Sequence, residues 1–410
     1  MNIAFIILCI AVCFQNVFLE MPILQNRKIC DIICTLKLCK EGIKMKKFLR
    51  SQPVLVISFI AAVITMFVIP PDKEYIGYIN KTVLIQLFSL MAAVAGFRNV
   101  GIFEKATSFM LKKAGTVRRL ALVFIILCYF SSMLVTNDVA LLTFVPLTLL
   151  VFSGMNDEKS LIFTIVLETI AANMGSMLTP IGNPQNLFVY DEFHLTAGQF
   201  ITTMLPAGLI SGAMLVLLTL FLPKTACISE NSENTKIKPV LTAGFAVLFA
   251  VCLLTVFRVI PDWACLIAAV AISLIFDRKV LAKVDYALLA TFVCFFVFVG
   301  NIARIEPVRE FFSEILVGRE LIVTCLLSQV ISNVPATVML AGFTDNGTQL
   351  ILGADIGGLG TIIASLASLI SFQIYRKSEN SKSGRYLLTF TGVSVCMLIP
   401  LLLVHMFLIK

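Results

Sequence analysis

A run rich in glycine, proline and asparagine is ordinary in a surface loop, but it conflicts with an apolar segment of membrane length. Such a run lies between Thr164 and Tyr190, TIVLETIAANMGSMLTPIGNPQNLFVY. It begins as an apolar helix carrying one carboxylate, Glu168. It then breaks over Asn173, Gly175, Ser176, Thr179, Pro180, Gly182, Asn183, Pro184 and Asn186 before turning apolar again. In hydrocarbon every backbone N–H and C=O needs a partner. Non-helical chain at that depth therefore persists only where protein or an aqueous cavity surrounds it. The segment reads as a discontinuous helix whose break is a binding site.

The rest of the chain supplies the membrane that this reading needs. Hydrophobic residues make up 59% of the sequence and charged residues 14%, where soluble domains carry about a quarter charged; mean hydropathy is +0.98. The fold class is an all-α polytopic membrane protein. His194 and His405 lie far apart, and no HExxH, GxSxG or phosphate-loop pattern occurs, so the sequence does not read as an enzyme. None of the twelve cysteines forms a CxxC pair. Those in apolar runs, such as Cys128, Cys252, Cys265 and Cys294, read as small core or lipid-facing residues. A net charge of +8 requires no nucleic-acid partner when the basic residues gather on one side of a bilayer.

Spans are expected at about 52–70, 81–98, 160–190 (broken), 203–222, 239–258, 262–277, 285–300, 351–374 (broken) and 386–408, most near the roughly 20 residues a bilayer requires. Two segments differ. Leu120–Val135 and Val139–Phe152 are joined only by Thr136-Asn137-Asp138, and Leu321–Ile331 and Val334–Gly342 flank Ser332-Asn333. Short apolar helices meeting at a polar tip read as re-entrant hairpins, the plainer alternative being two ordinary spans and a tight turn. Residues 1–44 form an N-terminal extension: an extra helix, a signal-like leader, or sequence upstream of a start at Met45.

The chain repeats itself. Thr136-Asn137 matches Ser332-Asn333, Asn173-Met174-Gly175-Ser176 matches Asp355-Ile356-Gly357-Gly358, and Thr179, Asn183 and Asn186 align with Thr361, Ser365 and Ser368. Gly96 before an amphipathic stretch (Val100–Leu111) matches Gly300 before another (Ile302–Leu316). The same order in both halves is the signature of an internal duplication. The expected division is a first repeat over 45–222, a loop and linker helix over 223–260, and a second repeat over 261–410. Four crossings and one hairpin per repeat, with the single span 239–258 between them, make the second copy inverted. With the Met45 end cytoplasmic, twenty Lys and Arg residues fall on inside segments and seven outside, as the positive-inside rule requires. The C-terminus is then outside, in a multi-pass protein of the plasma membrane.

Two tips and two breaks related by inversion are expected to meet near the midplane. One cation is placed at Thr136, Asn137, Asn173 and Gly175, and a second at Ser332, Asn333, Asp355 and Gly358. Side-chain and backbone oxygens beside flexible glycine suit a hard cation such as sodium. Asn183, Asn186, Thr361 and Ser365, with Thr136, Asn137, Asp138, Ser332 and Asn333, form the expected substrate set. Three carboxylates, Asp138, Glu168 and Asp355, lie at membrane depth, where ionisable groups by default mark ion or proton pathways. A structural alternative is that the small polar residues cap hairpin ends and fill close helix contacts.

The Thr-Asn-Asp-Val-Ala tip, the SMLTPIGNPQN break, the Ser-Asn-Val-Pro-Ala tip and the Ile-Gly-Gly-Leu-Gly-Thr break resemble the ion transporter superfamily, in particular its arsenite permease, sodium/proton antiporter and citrate-transporter-like members. The resemblance runs from about Gln52 to the C-terminus. It implies an elevator-type secondary transporter, a homodimer with scaffold and transport domains, using sodium or a proton as coupling ion and no other cofactor. In dicarboxylate/sodium symporters of this superfamily, Ser-Asn-Thr tips hold sodium and the substrate carboxylate. This sequence has Thr136-Asn137-Asp138 and Ser332-Asn333-Val334 instead. The leading expectation is cation- or proton-coupled transport of a citrate- or dicarboxylate-like or inorganic anion. Sodium/proton antiport and arsenite efflux are the alternatives.

Overall fold

The computed structural model describes residues 52–100, 115–152, 157–225, 238–378 and 381–407. The extension over 1–44, the basic start at 45–50 and nearly all of the first amphipathic stretch lie outside them. Every regular element among the described residues is helical. Six helices are long and apolar enough to cross a membrane: Lys81–Val100, Val117–Val135, Ala197–Phe221, Pro239–Val256, Tyr286–Ala303 and Ser383–Phe407. The chain is thus an all-α, multi-pass membrane protein.

Packing divides the described residues into two compact units, those up to Leu84 with Asp285–Phe311, and those from Ile85 to Val284 with those from Phe312 onward. In the first, α1 (Pro53–Val68), the single turn α2 (Tyr75–Tyr78) and α11 (Tyr286–Ala303) enclose Ala62, Tyr75, Cys294 and Val297. Proline in the first turn starts α1, where its missing N–H costs nothing. The Asp285 side chain accepts the Leu288 N–H at the start of α11, a standard N-cap. Asn301 donates to the Thr65 hydroxyl at 3.1 Å, joining the two long helices by a polar contact in an apolar core.

The second unit holds nearly everything the sequence marked as functional. It takes α3 (Lys81–Val100) from Ile85 onward, then α4 (Val117–Val135), α5 (Asn137–Phe152), α6 (Glu158–Ser176), α7 (Pro184–Glu192), α8 (Ala197–Leu218), α9 (Pro239–Val256) and α10 (Asp262–Phe276). After α12 (Glu306–Leu316), which spans the unit boundary, come α13 (Glu320–Ile331), α14 (Asn333–Ala341), α15 (Gly347–Gly357), α16 (Leu366–Arg376) and α17 (Ser383–Phe407). Both broken segments are interrupted at their small and polar runs, α6 from α7 where Gly, Pro and Asn cluster and α15 from α16 at Gly358, Gly360, Thr361 and Ser365. One arm of the first hairpin is longer than its apolar run: α4 starts at Val117, because Thr116 caps it by accepting the Arg119 N–H. The Arg118 guanidinium holds the Leu220 and Leu222 carbonyls just past the C-terminal end of α8. At 19 residues α4 is long enough to cross.

Candidate functional site

At each hairpin tip one non-glycine residue stands in backbone space that glycine otherwise occupies. Thr136 has φ 75° and ψ 150°, and Ser332 has φ 76° and ψ 154°. Such conformations cost of order 1–3 kcal/mol each and persist where the surroundings over-determine them. The restraint is visible at both tips. Asn137 Oδ1 accepts the Asp138 N–H at 2.8 Å, and Asn333 Oδ1 accepts the Val334 N–H at 2.9 Å. These bonds satisfy donors that the first turns of α5 and α14 would leave unpaired. Each tip helix is also tied to the facing break. The Thr179 hydroxyl donates to the Met133 carbonyl at 2.5 Å, and the Thr361 hydroxyl to the Gln329 carbonyl at 3.1 Å.

Glycine lets the broken helices sit this close. A Cβ on Gly175 would collide with the Tyr129 carbonyl oxygen of α4, and one on Gly357 would lie 2.8 Å from Cys325 Cα of α13. Gly358 faces the second tip, where a Cβ would come within 3.2 Å of Asn333 Nδ2. Tyr129 and Cys325 stand seven residues before their respective tips, so the two hairpins use the same packing position.

The two breaks then exchange partners. Asn173, at the end of α6, accepts Asn137 Nδ2 at 3.0 Å and the Ser365 hydroxyl at 3.0 Å on its Oδ1, while its Nδ2 donates to the Ser368 hydroxyl at 3.2 Å. Asp355, at the end of α15, accepts Gln185 Nε2 at 2.9 Å and Asn183 Nδ2 at 3.4 Å on Oδ1. The hub of each break is thus bonded to the far side of the other, between residues 170 to 195 positions apart. Both hubs are buried, Asn173 at 4% and Asp355 at 3% exposure. The crossings differ in completeness. Asn173 uses both of its polar atoms. Asp355 Oδ2, Asn183 Oδ1 and Asn186 Oδ1 are buried with no hydrogen-bond partner among the described residues.

Of the remaining expected residues, those at the tips adjoin this centre and Glu168 does not. Thr136 and Ser332 form the strained tips, with the Ser332 hydroxyl 3.4 Å from the Ala364 carbonyl. Asn333 donates its N–H to that same carbonyl at 2.9 Å, which anchors the second tip to the second break. Asp138 is half-buried on the first turn of α5. Glu168 is fully buried but belongs to another polar patch. Its Oε1 accepts the Thr148 hydroxyl of α5, and its neighbour Thr169 joins Ser371 and Tyr386 in a chain of hydroxyls at 2.6 and 3.1 Å. No group of three His, Cys, Asp or Glu side chains among the described residues is placed to hold a metal, so a cation here would be met by amide, hydroxyl and single-carboxylate oxygens.

Two residues that sequence reasoning passed over are central. Gln185 holds the Asp355 carboxylate. Gln329 donates to the carbonyls of Gly357 at 2.7 Å and Leu359 at 2.9 Å and accepts the Thr361 N–H at 2.9 Å. Both are glutamines beside motifs already singled out, Gln185 inside Asn183-Pro184-Gln185-Asn186 and Gln329 one turn before Ser332. An amide next to an unwound stretch at membrane depth is itself a signal, because the freed backbone groups need such partners.

Comparison with known proteins places the chain among membrane transporters. The chain is 34% identical over 317 residues to an uncharacterized transporter of Methanocaldococcus jannaschii, covering 77% of this chain and 86% of that protein. It is 30% identical over 319 residues to the inner membrane protein YbiR of Escherichia coli, covering 76% and 84%. An uncharacterized transporter of Mycobacterium tuberculosis is 26% identical over 350 residues, covering 73% and 79%. Residues 3–346 match the family described as citrate transporter. The two tips and breaks therefore sit in a membrane transporter of secondary type, and the chain belongs to the citrate transporter family.

Proposed function

We propose that the protein couples movement of a small anion, citrate- or dicarboxylate-like or inorganic, to entry of sodium or a proton, by an elevator-type displacement of an inverted-repeat site. The observation that carries this reading is the buried Asp355 carboxylate at the crossing of the two breaks. An anion approaching to about 6 Å of an ionised carboxylate meets repulsion of about 3 kcal/mol at an effective dielectric constant near 20. Neutralising Asp355 with a cation or proton removes that penalty, so cation binding and anion binding favour each other. That mutual dependence is coupling in the thermodynamic sense. Neither break contains Lys or Arg. The anion would instead draw on side-chain amides and hydroxyls; Asn137, Asn183, Asn186, Thr361 and Ser365 already donate within the protein, which leaves Ser332, whose hydroxyl contacts are long, and Asn333 at the second tip. The N-terminal ends of α5, α7, α14 and α16 add N–H groups that favour negative charge. Thr136 and Asn137 with Gly175, and Ser332 and Asn333 with Gly358, mark the two ends of the cation path, with Asp138 as a further carboxylate beside the first; Glu168 stands apart from it.

The same acid supports a second reading, sodium/proton antiport with no anion, in which the two cations exchange at Asp355. Purified protein in liposomes containing a pH dye separates them. A sodium gradient is imposed alone, then with citrate, succinate, phosphate and arsenite in turn. Coupled anion transport gives no signal until one anion is added. A pH change driven by sodium alone would establish antiport and remove the anion from the mechanism.

A further inference from the structure

Away from the breaks, two sulfurs between α9 and α10 are placed for chemistry of their own. Cys252 lies one turn before the end of α9, and Cys265 closes the first turn of α10. Both are buried, at 1% and 0% exposure. Thirteen positions apart in sequence, they are brought together by the turn between the two helices, and their sulfurs stand 3.7 Å apart.

The surroundings of the pair favour reaction. The thiolate is the reactive form of cysteine, and a helix N-terminus stabilises it. Cys265 occupies that position in α10. The hydroxyls of Ser89 from α3 and Thr255 from α9 border its sulfur. The Thr255 hydroxyl donates to the Val251 carbonyl at 2.9 Å. The Ser89 hydroxyl is buried with no hydrogen-bond partner among the described residues, so its proton is available to a thiolate beside it.

The tip of the same hairpin grips the first break. Arg258 stands in left-handed backbone at φ 62°. Its guanidinium donates to the carbonyls of Tyr190 at 2.8 Å and Leu195 at 3.2 Å and lies 5.1 Å from the centre of the Tyr190 ring. Tyr190 belongs to α7, the nine-residue helix that starts after Asn183 and carries Gln185. The backbone at Arg258 depends on how α9 meets α10, so whatever fixes the hairpin also fixes this grip.

We infer that Cys252 and Cys265 are a disulfide site, closed by a peroxide, and that the bond stiffens the hold of Arg258 on α7. The Cys265 thiol takes one oxygen from hydrogen peroxide to become a sulfenic acid, and one water leaves. The Cys252 sulfur then attacks the sulfenic sulfur, the S–S bond forms, and a second water leaves. Two thiols lose two electrons and two protons, and one peroxide is reduced to two waters. A disulfide holds its sulfurs about 2 Å apart, so closure is an approach of roughly 1.7 Å. The topology expected from the basic residues puts this tip on the outer side of the membrane, where disulfides persist.

The test exposes the full-length protein in detergent to hydrogen peroxide, alkylates the remaining thiols under denaturing conditions, and digests with trypsin. Arg258 lies between the two cysteines, so cleavage there separates them unless they are bonded. The expected result is a linked pair of peptides that dithiothreitol divides and that Cys252→Ser lacks. Hydrogen exchange over residues 187–195 is expected to slow several-fold in the oxidised protein, and Arg258→Met is expected to remove that difference. Cysteines still open to alkylation after peroxide, oxidised singly to sulfinic acids, or bonded to other cysteines would overturn the site. Linked peptides with unchanged exchange over 187–195 would keep the disulfide and overturn its action on α7.

Discussion

The first and second breaks share a backbone plan and differ in what they do with it. In both, a strained tip residue at φ near 75° precedes an Asn that caps the next helix, and a Thr hydroxyl ties the break to a carbonyl three residues before the tip. In both, a glycine seats the broken helix against the hairpin. The hub is a neutral amide in one and an acid in the other. The unwound chain is held from inside by Asn186 in the first break and from outside by Gln329 in the second, where the counterpart of Gln329 is Met133. Two frames of matching geometry thus carry one closed polar network and one with a charge and unpartnered oxygens. A handful of side chains sets the two apart.

The largest expected effect comes from the shared frame. Gly175→Ala drives a methyl group into the Tyr129 backbone oxygen, which no side-chain movement relieves. A loss of about 3 kcal/mol is expected, at the top of the range for overpacking. Gly357→Ala meets Cys325 less closely and should cost less. Thermal unfolding in detergent ranks the pair, and equal losses would mean that the two hairpins do not grip their breaks as described.

Next comes the external clamp. Gln329→Met places the first half's residue in the second and removes donors to Gly357 and Leu359 and the acceptor for Thr361. At about 1 kcal/mol per bond, the expected cost is about 2–3 kcal/mol. Hydrogen exchange should rise over residues 358–361 and remain unchanged at 177–183. Exchange rising in both breaks would show that they are one cooperative unit.

The centre itself separates charged from neutral hubs. Gln185→Leu removes one of two donors to a carboxylate, expected to cost about 1.5–3 kcal/mol. Ser365→Ala removes one of two donors to a neutral amide, expected to cost about 1 kcal/mol. Unfolding midpoints that fall equally would remove the electrostatic distinction between the crossings.

How much of this was legible in sequence follows from the same physics. Polar residues inside an apolar run are conspicuous, so both breaks and both tips could be read directly. The helix start at Val117 could not be placed from apolar periodicity, because it is set by the Thr116 cap and by Arg118 reaching carbonyls about a hundred residues away. The exchange of partners was equally out of reach. Nothing in spacing says that Asn173 bonds the Ser365 side of the other break rather than its own, since that depends on how two interrupted helices cross. Gln185 and Gln329 escaped notice for a related reason. A glutamine beside a Gly- and Asn-rich motif looks like more of the same until its reach to a particular carbonyl or carboxylate is known.

The smallest expected effect contrasts the buried acid with an exposed one in the other compact unit. Asp72, in the link between α1 and α2, accepts Arg304 Nη1 at 2.7 Å, while Arg304 Nε stands 3.4 Å from Glu74 and its Nη1 also meets the Tyr78 hydroxyl at 3.0 Å. The Arg304 hydrogen bond holds the Asp72 carboxyl below its ordinary value. A carboxylate whose folded pKa is depressed adds stability above its unfolded value, about 4, and that stability is lost as pH falls through the folded value. Asp72→Asn should therefore lower the unfolding midpoint slightly at pH 7, less in high salt because water and ions screen an exposed pair. Once the pH lies well below the folded value, the variant and the parent should converge. A difference that persists in acid would mean that Asp72 contributes by shape and neutral hydrogen bonding. Its charge would then be incidental, the reverse of what the geometry assigns to Asp355.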